Sequence, residues 1–454
     1  MSSQPIIFWH RRDLRIHDNA GLYRALKAAQ DGGGKVLPIF IFDYEILSKL
    51  PSEDTRVVFI HDSVTALAEA YQTHGGDLQV FYGKPINVWQ DLIADYQPTA
   101  VYANRDYEPY TKVRDLAVKE MVEKAGGSFH DFKDHIIFES DEVQKNDGGP
   151  YTVYSPFWRK WKTMMESRMV PFEGGEISYY LKPYATEKYL AGLQQGKAKA
   201  PIPTLAEMGF KEVEAHVPPK DVKQVIIRTY DETRNFPGKQ GTSQLSCHFR
   251  HGTISIREKA RKALELNETY LKELVWRDFY SNILQSFPHV VDGPFRPEYK
   301  AIPWENDEDQ FKAWCNGKTG VPIVDAGMRQ LNDTGWMHNR VRMIVASYLT
   351  KHLLIDWRWG EAYFAEKLLD YELASNNGGW QWAAGCGTDA QPYFRIFNYD
   401  SQQKKFDKDY AYVKRWVPEY GTSRYPTEPL VEHKWGRERA LRVYKAALAE
   451  AREE

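Results

Sequence analysis

An α/β N-terminal half built on a doubly wound parallel sheet (Rossmann-like), followed by an all-α C-terminal half, is the fold that the amino-acid sequence predicts. Three observations carry it. Short apolar runs alternate with helical periodicity over residues 1–131, strand-like runs become scarce beyond Pro201, and 454 residues are about three times the usual size of one domain, so at least two cores are expected.

The leading strand is read over residues 6–9, with further strands over 36–42, 78–82 and 99–103. Helical patterns over 19–29, 55–72 and 110–124 separate them, as crossovers between parallel strands require. After the first strand come His10, Arg11, Arg12 and Asp13, without the GxGxxG glycines that a dinucleotide pyrophosphate needs, so a nicotinamide-binding domain is disfavoured. From 132 to 200 the pattern loosens. Asn146, Asp147, Gly148, Gly149 and Pro150 make a turn cluster and 192–203 is rich in Gly, Lys and Pro, so this stretch is read as an interdomain linker.

Residues 201–454 are read as one helical domain. Within it Val341, Ile344, Val345, Tyr348 and Leu349 recur at the spacing of one apolar helix face. The same geometry puts Asn339, Arg342 and Ala346 on a second face and Arg340, Met343 and Ser347 on a third, both left for chemistry. The chain from Arg437 onward reads as a charged terminal helix.

Composition limits the partners. A formal net charge of -2 argues against a general coating of nucleic acid and leaves room for a local basic footprint. Cys247, Cys315 and Cys386 are odd in number and form no CxxC pair, so neither a disulfide framework nor a structural zinc site is supported and a reducing cytoplasm is expected. No run of eighteen apolar residues occurs, and the opening segment meets charges after a few apolar residues, so a soluble protein without a secretory signal is expected.

The densest chemistry lies between Thr334 and Trp382. Asp370 and Glu372 precede Asn376, Asn377, Gly378 and Gly379, with Trp380, Gln381 and Trp382 following. Any one of these is ordinary. Together, carboxylates, amides, the arginines of 339–347 and indoles around a glycine step suit a buried planar redox-active heterocycle whose charge is controlled electrostatically. Earlier, the string GTSQLS (241–246) sets the hydroxyls of Thr242, Ser243 and Ser246 on a turn entering a helix, where a phosphate can be held. Glu273, Trp276, Arg277 and Tyr280 share a helix face opposite Leu271, Leu274, Val275 and Phe279.

These strings, with FWHRRDLRIHDN (8–19), ELVWRDFY (273–280) and PYFRIFN (392–398), resemble the photolyase and cryptochrome flavoproteins over nearly the whole chain. Within that family the likeness is nearest to microbial class I photolyases of cyclobutane pyrimidine dimers. The resemblance implies FAD, active as FADH⁻, with Tyr230, Thr242, Ser243, Leu245 and Ser246 at its pyrophosphate region. It sets Arg277, Asn339, Arg342, Asp370 and Glu372 around the cofactor, and the Asn376 amide at flavin N5. It further implies that Trp276 and Trp382 stack against an extruded dimer, that Glu273 hydrogen-bonds its edge, that Met343 lies beneath, and that Arg234, Arg340 and Arg395 contact phosphates. Glu273, Asn376 and Met343 are then the residues nearest the reaction. Trp380, Trp357 and Trp304 match an electron relay. Asn104 and Glu108 fall where an antenna chromophore is expected, either 8-hydroxy-5-deazaflavin or methenyltetrahydrofolate, although both fit a surface cap equally well.

The implied activity is light-driven repair of DNA by a monomeric lyase that uses no nicotinamide. A neutral amide at Asn376 and a short tail set the chain apart from a cryptochrome-like photoreceptor without repair activity, the main alternative. A single His338 where a (6-4) enzyme would carry a histidine pair disfavours that third reading. Glu372 in place of a frequent Asp, Cys247 and Tyr399 in place of frequent prolines are departures from the family pattern.

Overall fold

The computed structural model describes residues 4–195, 201–426 and 428–451. They pack into two compact units, one drawn from Met1–Glu142, Trp161–Lys220 and Leu245–Glu265, the other from Val143–Lys160, Asp221–Gln244 and Leu266–Glu454.

In the first unit β1 (Ile6–His10), β2 (Val36–Asp43), β3 (Gln79–Gly83), β4 (Ala100–Asn104) and β5 (Ser128–Phe132) form a wholly parallel sheet in the order β3-β2-β1-β4-β5. β1 is central, with Ile6 opposite Val36 on one side and Ala100 on the other. Alternate side chains enter two separate cores, as the pleat demands: Ile6 and Phe8 on one face, Ile7 and Trp9 on the other. The helices Ala20–Gly32, Thr55–Thr73 and Pro109–Lys124 fall where the periodicity predicts them. Asn19 caps the first by accepting the Leu22 N–H, and Asp54 caps the second by accepting that of Arg56.

Two elements of this unit escape the pattern. β5 reads SFHDF and lies at the sheet edge, half-buried to exposed, so it carries no apolar run. The helix Pro85–Tyr96 starts on a proline, which serves at the first turn because its missing N–H has no intrahelical partner there.

The stretch 132–200 is more structured than a linker. It carries the helix Tyr154–Glu166, an antiparallel hairpin of Met169–Phe172 with Gly175–Ser178, and short 3-10 turns at Tyr179–Leu181 and Thr186–Gly192. Phe138, Trp161 and Leu190 are buried core residues. Within the helix, Tyr154, Phe157, Trp161 and Met165 are buried at a helical spacing that the reading as a linker overlooks. Residues 196–200 lie outside the described residues. Residues 245–265, sequentially within the helical half, pack with the sheet unit, because Leu14 N–H bonds His251 O and Arg257 pairs with Asp18 and Asp134.

The second unit is helical, with one core that takes in Trp314, Val341, Ile344, Val345, Tyr348, Leu349, Trp357 and Trp380. The helix Asn339–Ser347 starts where His338 accepts the Arg340 N–H, and passes into a π-helical turn at Tyr348–His352. The helix Leu373–Ala384 crosses Glu268–Ser286 at Gly378, where a Cβ would meet the Tyr280 ring at 2.2 Å, so only glycine allows this approach. The terminal helix runs over His433–Glu450. Among the described residues no helix is long and apolar enough to cross a membrane, and no group of three or more His, Cys, Asp or Glu is placed to hold a metal ion. Cys247, Cys315 and Cys386 are all buried.

Candidate active site

A cavity of about 440 Å³ opens within the second unit. Three helices build most of its wall. Glu268–Ser286 contributes Glu273, Trp276, Arg277 and Tyr280, while Leu271, Leu274, Val275 and Phe279 on its other side are buried in the core. Asn339–Ser347 contributes both of its non-core faces through Asn339, Arg340, Arg342, Met343 and Ala346. Leu373–Ala384 contributes Ser375, Asn376, Gly379, Trp380 and Trp382. Tyr230, Arg234, Thr242, Asp370 and Glu372 complete the set of expected residues that the fold brings together.

The charges are arranged in pairs. Arg342 Nη2 lies 2.9 Å from Asp370 Oδ2 and its Nε donates to Met337 O at 2.8 Å, which fixes the guanidinium from two sides. Among the described residues the second oxygen of Asp370 is buried without a partner, an acceptor left for a ligand. Arg277 Nη2 is 3.4 Å from Glu372 Oε1, and Ser375 Oγ donates to the other Glu372 oxygen at 3.0 Å. The longer Glu372 side chain therefore reaches an arginine on the neighbouring helix. At the mouth Arg234 pairs with Glu273, whose carboxyl is raised above its ordinary range by burial and pulled back in part by Arg234 and Arg340. Arg340 donates to Asn235 Oδ1 at 2.7 Å and lies over the Phe406 ring. His338 is pushed down to about 4 by burial and by Arg340 and Arg342, so it stays neutral.

Asn376 Nδ2 donates to Glu361 O at 3.0 Å, which fixes the amide in the cavity wall. Asn377 donates to Val290 O and to Glu361 Oε1. Burial pushes Glu361 up to about 7. A Cβ built on Gly379 would meet nothing within 4 Å, so the glycine leaves the cavity open there. The orphaned Asp370 oxygen, the fixed guanidinium and this bare stretch fit a flat polar ring system.

Not every expected residue faces the cavity. Trp380 is in its wall and 2% exposed, Trp357 is equally buried without lining it, and Trp304 is half-buried, all three around one core. Ser243 accepts the Tyr270 hydroxyl at 3.0 Å, and Leu245 and Ser246 belong to the segment that packs with the sheet unit. Arg395 is exposed and outside the cavity lining.

In the first unit Asn104 faces inward. Its amide donates to Asp13 Oδ2 at 2.6 Å and Asn19 Oδ1 at 2.7 Å and accepts the Gly21 N–H at 2.8 Å, so it locks the loop after β1. Glu108 makes no side-chain cap bond. It accepts from Arg250 at 2.6 Å and Arg12 at 3.3 Å.

Sequence reasoning missed Asn235, Phe364, Leu368 and Ser375 of the lining. Asn235 adjoins Arg234 and was within reach, whereas Phe364 and Leu368 look like any apolar residue of a core helix.

Comparison with known proteins agrees with this geometry. Residues 6–174 match the family described as DNA photolyase, and residues 270–424 the FAD binding domain of DNA photolyase. Deoxyribodipyrimidine photo-lyases from Synechococcus and from Halobacterium salinarum are each 38% identical, covering 98% and 97% of this chain and 98% and 99% of their own. Among solved structures, a bacterial class III photolyase from Agrobacterium tumefaciens superposes with TM-score 0.81 at 34% identity, with 98% of each chain covered. An archaeal photolyase from Sulfolobus tokodaii with two FAD molecules gives 0.80 at 31% identity, covering 97% of this chain and 100% of that one. With both halves matched and the relatives aligned end to end, the chain belongs to the photolyase and cryptochrome family, as a lyase with an FAD-binding helical domain.

Proposed function

We propose that this protein is a deoxyribodipyrimidine photo-lyase that splits cyclobutane pyrimidine dimers in DNA under blue light. One observation carries the reading: a single cavity joins a fixed guanidinium–carboxylate pair, the Asn376 amide and the two indoles Trp276 and Trp382. Bound FAD, in its reduced form, would supply the light-driven electron that opens the dimer ring and would take that electron back once the two pyrimidines are restored. Photolyases as a class work on a base taken out of the helix.

The chain's own groups do the rest. Trp276 and Trp382 offer flat apolar faces to the two linked pyrimidines, and base stacking on an aromatic face contributes about 1–3 kcal/mol per base. Glu273 hydrogen-bonds the polar edge of the dimer and Met343 fills the floor beneath it. Arg234, Arg340 and Arg395 hold backbone phosphates, which positions the strand. Arg342 with Asp370, Arg277 with Glu372, and Asn339 orient the cofactor ring and control the charge around it. Asn376 presents a neutral amide and no acidic proton. Tyr230, Thr242 and Ser243 hold the pyrophosphate end.

Trp380, Trp357 and Trp304 form a relay from the cavity wall toward the surface. An antenna chromophore, deazaflavin or folate, is part of the proposal and belongs to the sheet unit near Glu108. Asn104, whose amide is taken up inside the fold, keeps the loop shape and does not touch it. The protein acts as a monomer in the cytoplasm and draws on no nicotinamide.

The test is an absorption spectrum of the gently purified protein, followed by blue-light illumination with a dimer-containing oligonucleotide. Flavin absorbance and regenerated intact pyrimidines are expected. A coloured protein that binds such DNA without repairing it would make the chain a photoreceptor instead.

A further inference from the structure

Trp276 is half-buried, and one of its faces is already covered. Tyr154, at the start of the helix Tyr154–Glu166, stacks on it with ring centroids 3.7 Å apart and planes 6° from parallel. Trp276 lines the cavity and Tyr154 does not, so the tyrosine covers the face turned away from it. Phe279 meets the indole edge-on at 5.5 Å, and Tyr280 lies at 5.4 Å.

The tyrosine is itself held at both ends. Its hydroxyl donates to Lys272 O at 2.6 Å, one turn before Trp276 on the same helix, and its N–H donates to Asp389 Oδ2 at 3.1 Å. Burial and the nearby carboxylates of Glu273 and Asp278 raise its phenol well above the ordinary tyrosine range, so the hydroxyl remains a donor.

We propose that Tyr154 is a positioning residue for lesion recognition, a backing ring that holds the Trp276 indole flat and leaves a single face for one pyrimidine. The reading rests on the stacking role proposed for Trp276. An indole without a backing ring would sample tilted rotamers beside an open cavity and would have to be ordered by the incoming base. With the stack in place that ordering is complete before DNA arrives.

Ordering a free side chain on binding costs about 0.5–1.5 kcal/mol, which corresponds to about a 2- to 12-fold change in affinity. Tyr154→Leu keeps apolar volume without a flat ring and is expected to weaken binding of dimer-containing duplex within that range. Affinity for undamaged duplex, FAD content and turnover at saturating DNA should stay unchanged, so that KM rises alone. Tyr154→Phe keeps the ring and should bind within about twofold of wild type, a margin under 0.5 kcal/mol. In a Trp276→Ala background Tyr154→Leu should have no further effect on lesion affinity.

Wild-type lesion affinity in Tyr154→Leu, while Trp276→Ala is weakened, would overturn the positioning role and leave the stacking reading intact. Equal losses in the Phe and Leu variants, or additive losses in the double variant, would overturn it as well. Unchanged lesion affinity in Trp276→Ala would remove the stacking reading itself.

Discussion

The tightest approach behind the cavity is at Gly360, and it makes Gly360→Ala the sharpest test of how the site is built. A Cβ there would lie 2.1 Å from Trp380 Cη2, 2.4 Å from Cζ3 and 2.7 Å from Leu349 Cδ2. Carbon atoms pack at about 3.5–4.0 Å, so the indole or the helix Trp357–Lys367 must yield by about 1.4 Å or more. Leu349 and Phe364 are buried in the same core, and the open side of Trp380 is the cavity. The added methyl therefore drives the indole toward the space the cofactor needs.

Overpacking of this kind costs about 1–3 kcal/mol. For a unit of this size that corresponds to a fall of about 2–12 °C in Tm. Thermal unfolding by circular dichroism together with the flavin-to-protein absorbance ratio measures both consequences. Gly379→Ala is the counterpart, since its Cβ meets nothing within 4 Å, and it should not lower the Tm of the cofactor-free protein. Wild-type Tm together with full FAD content in Gly360→Ala would refute the packing argument.

Three further outcomes are expected. Trp276→Ala should weaken binding of dimer-containing DNA by about 1–3 kcal/mol, or about 5- to 150-fold, with FAD retained, as read by a binding titration. Trp380→Phe should block photoreduction of the oxidised flavin while repair by pre-reduced protein continues, and loss of both would end the relay assignment. Lys351 is buried with its amine donating to Ala384 O at 2.7 Å and lying 3.7 Å from the Tyr444 ring centroid, and burial pulls it down to about 7 from 10.5. The unfolded chain then binds more protons between about pH 7 and 10.5, so stability rises with pH across that window and falls as pH drops toward 7. Lys351→Met leaves Ala384 O with the Tyr444 hydroxyl as donor, so a flatter Tm between pH 7 and 9 and a Tm at pH 7 no lower than wild type are expected. A Tm that still climbs across that range in the variant would count against this assignment.

The two fold halves and much of the cavity wall are legible in the one-dimensional pattern, because burial imposes its own period. Ile7 and Trp9 alternate with Ile6 and Phe8 along a strand, and Val341, Ile344, Val345, Tyr348 and Leu349 repeat along a helix, so the residues left off those faces are the ones free for chemistry. That is why Glu273, Trp276 and Arg277, or Arg340, Arg342 and Met343, could be singled out beforehand and then found around one cavity. Contacts between distant segments follow no period. That Asn104 is taken up by Asp13, Asn19 and Gly21 depends on which loops the parallel sheet brings side by side. Tyr154, at the head of a helix whose buried residues repeat at helical spacing, becomes the backing of Trp276 only when two helix segments more than a hundred residues apart are packed together. Local pattern determined which side chains avoid the core, and tertiary packing alone decided which of them meet.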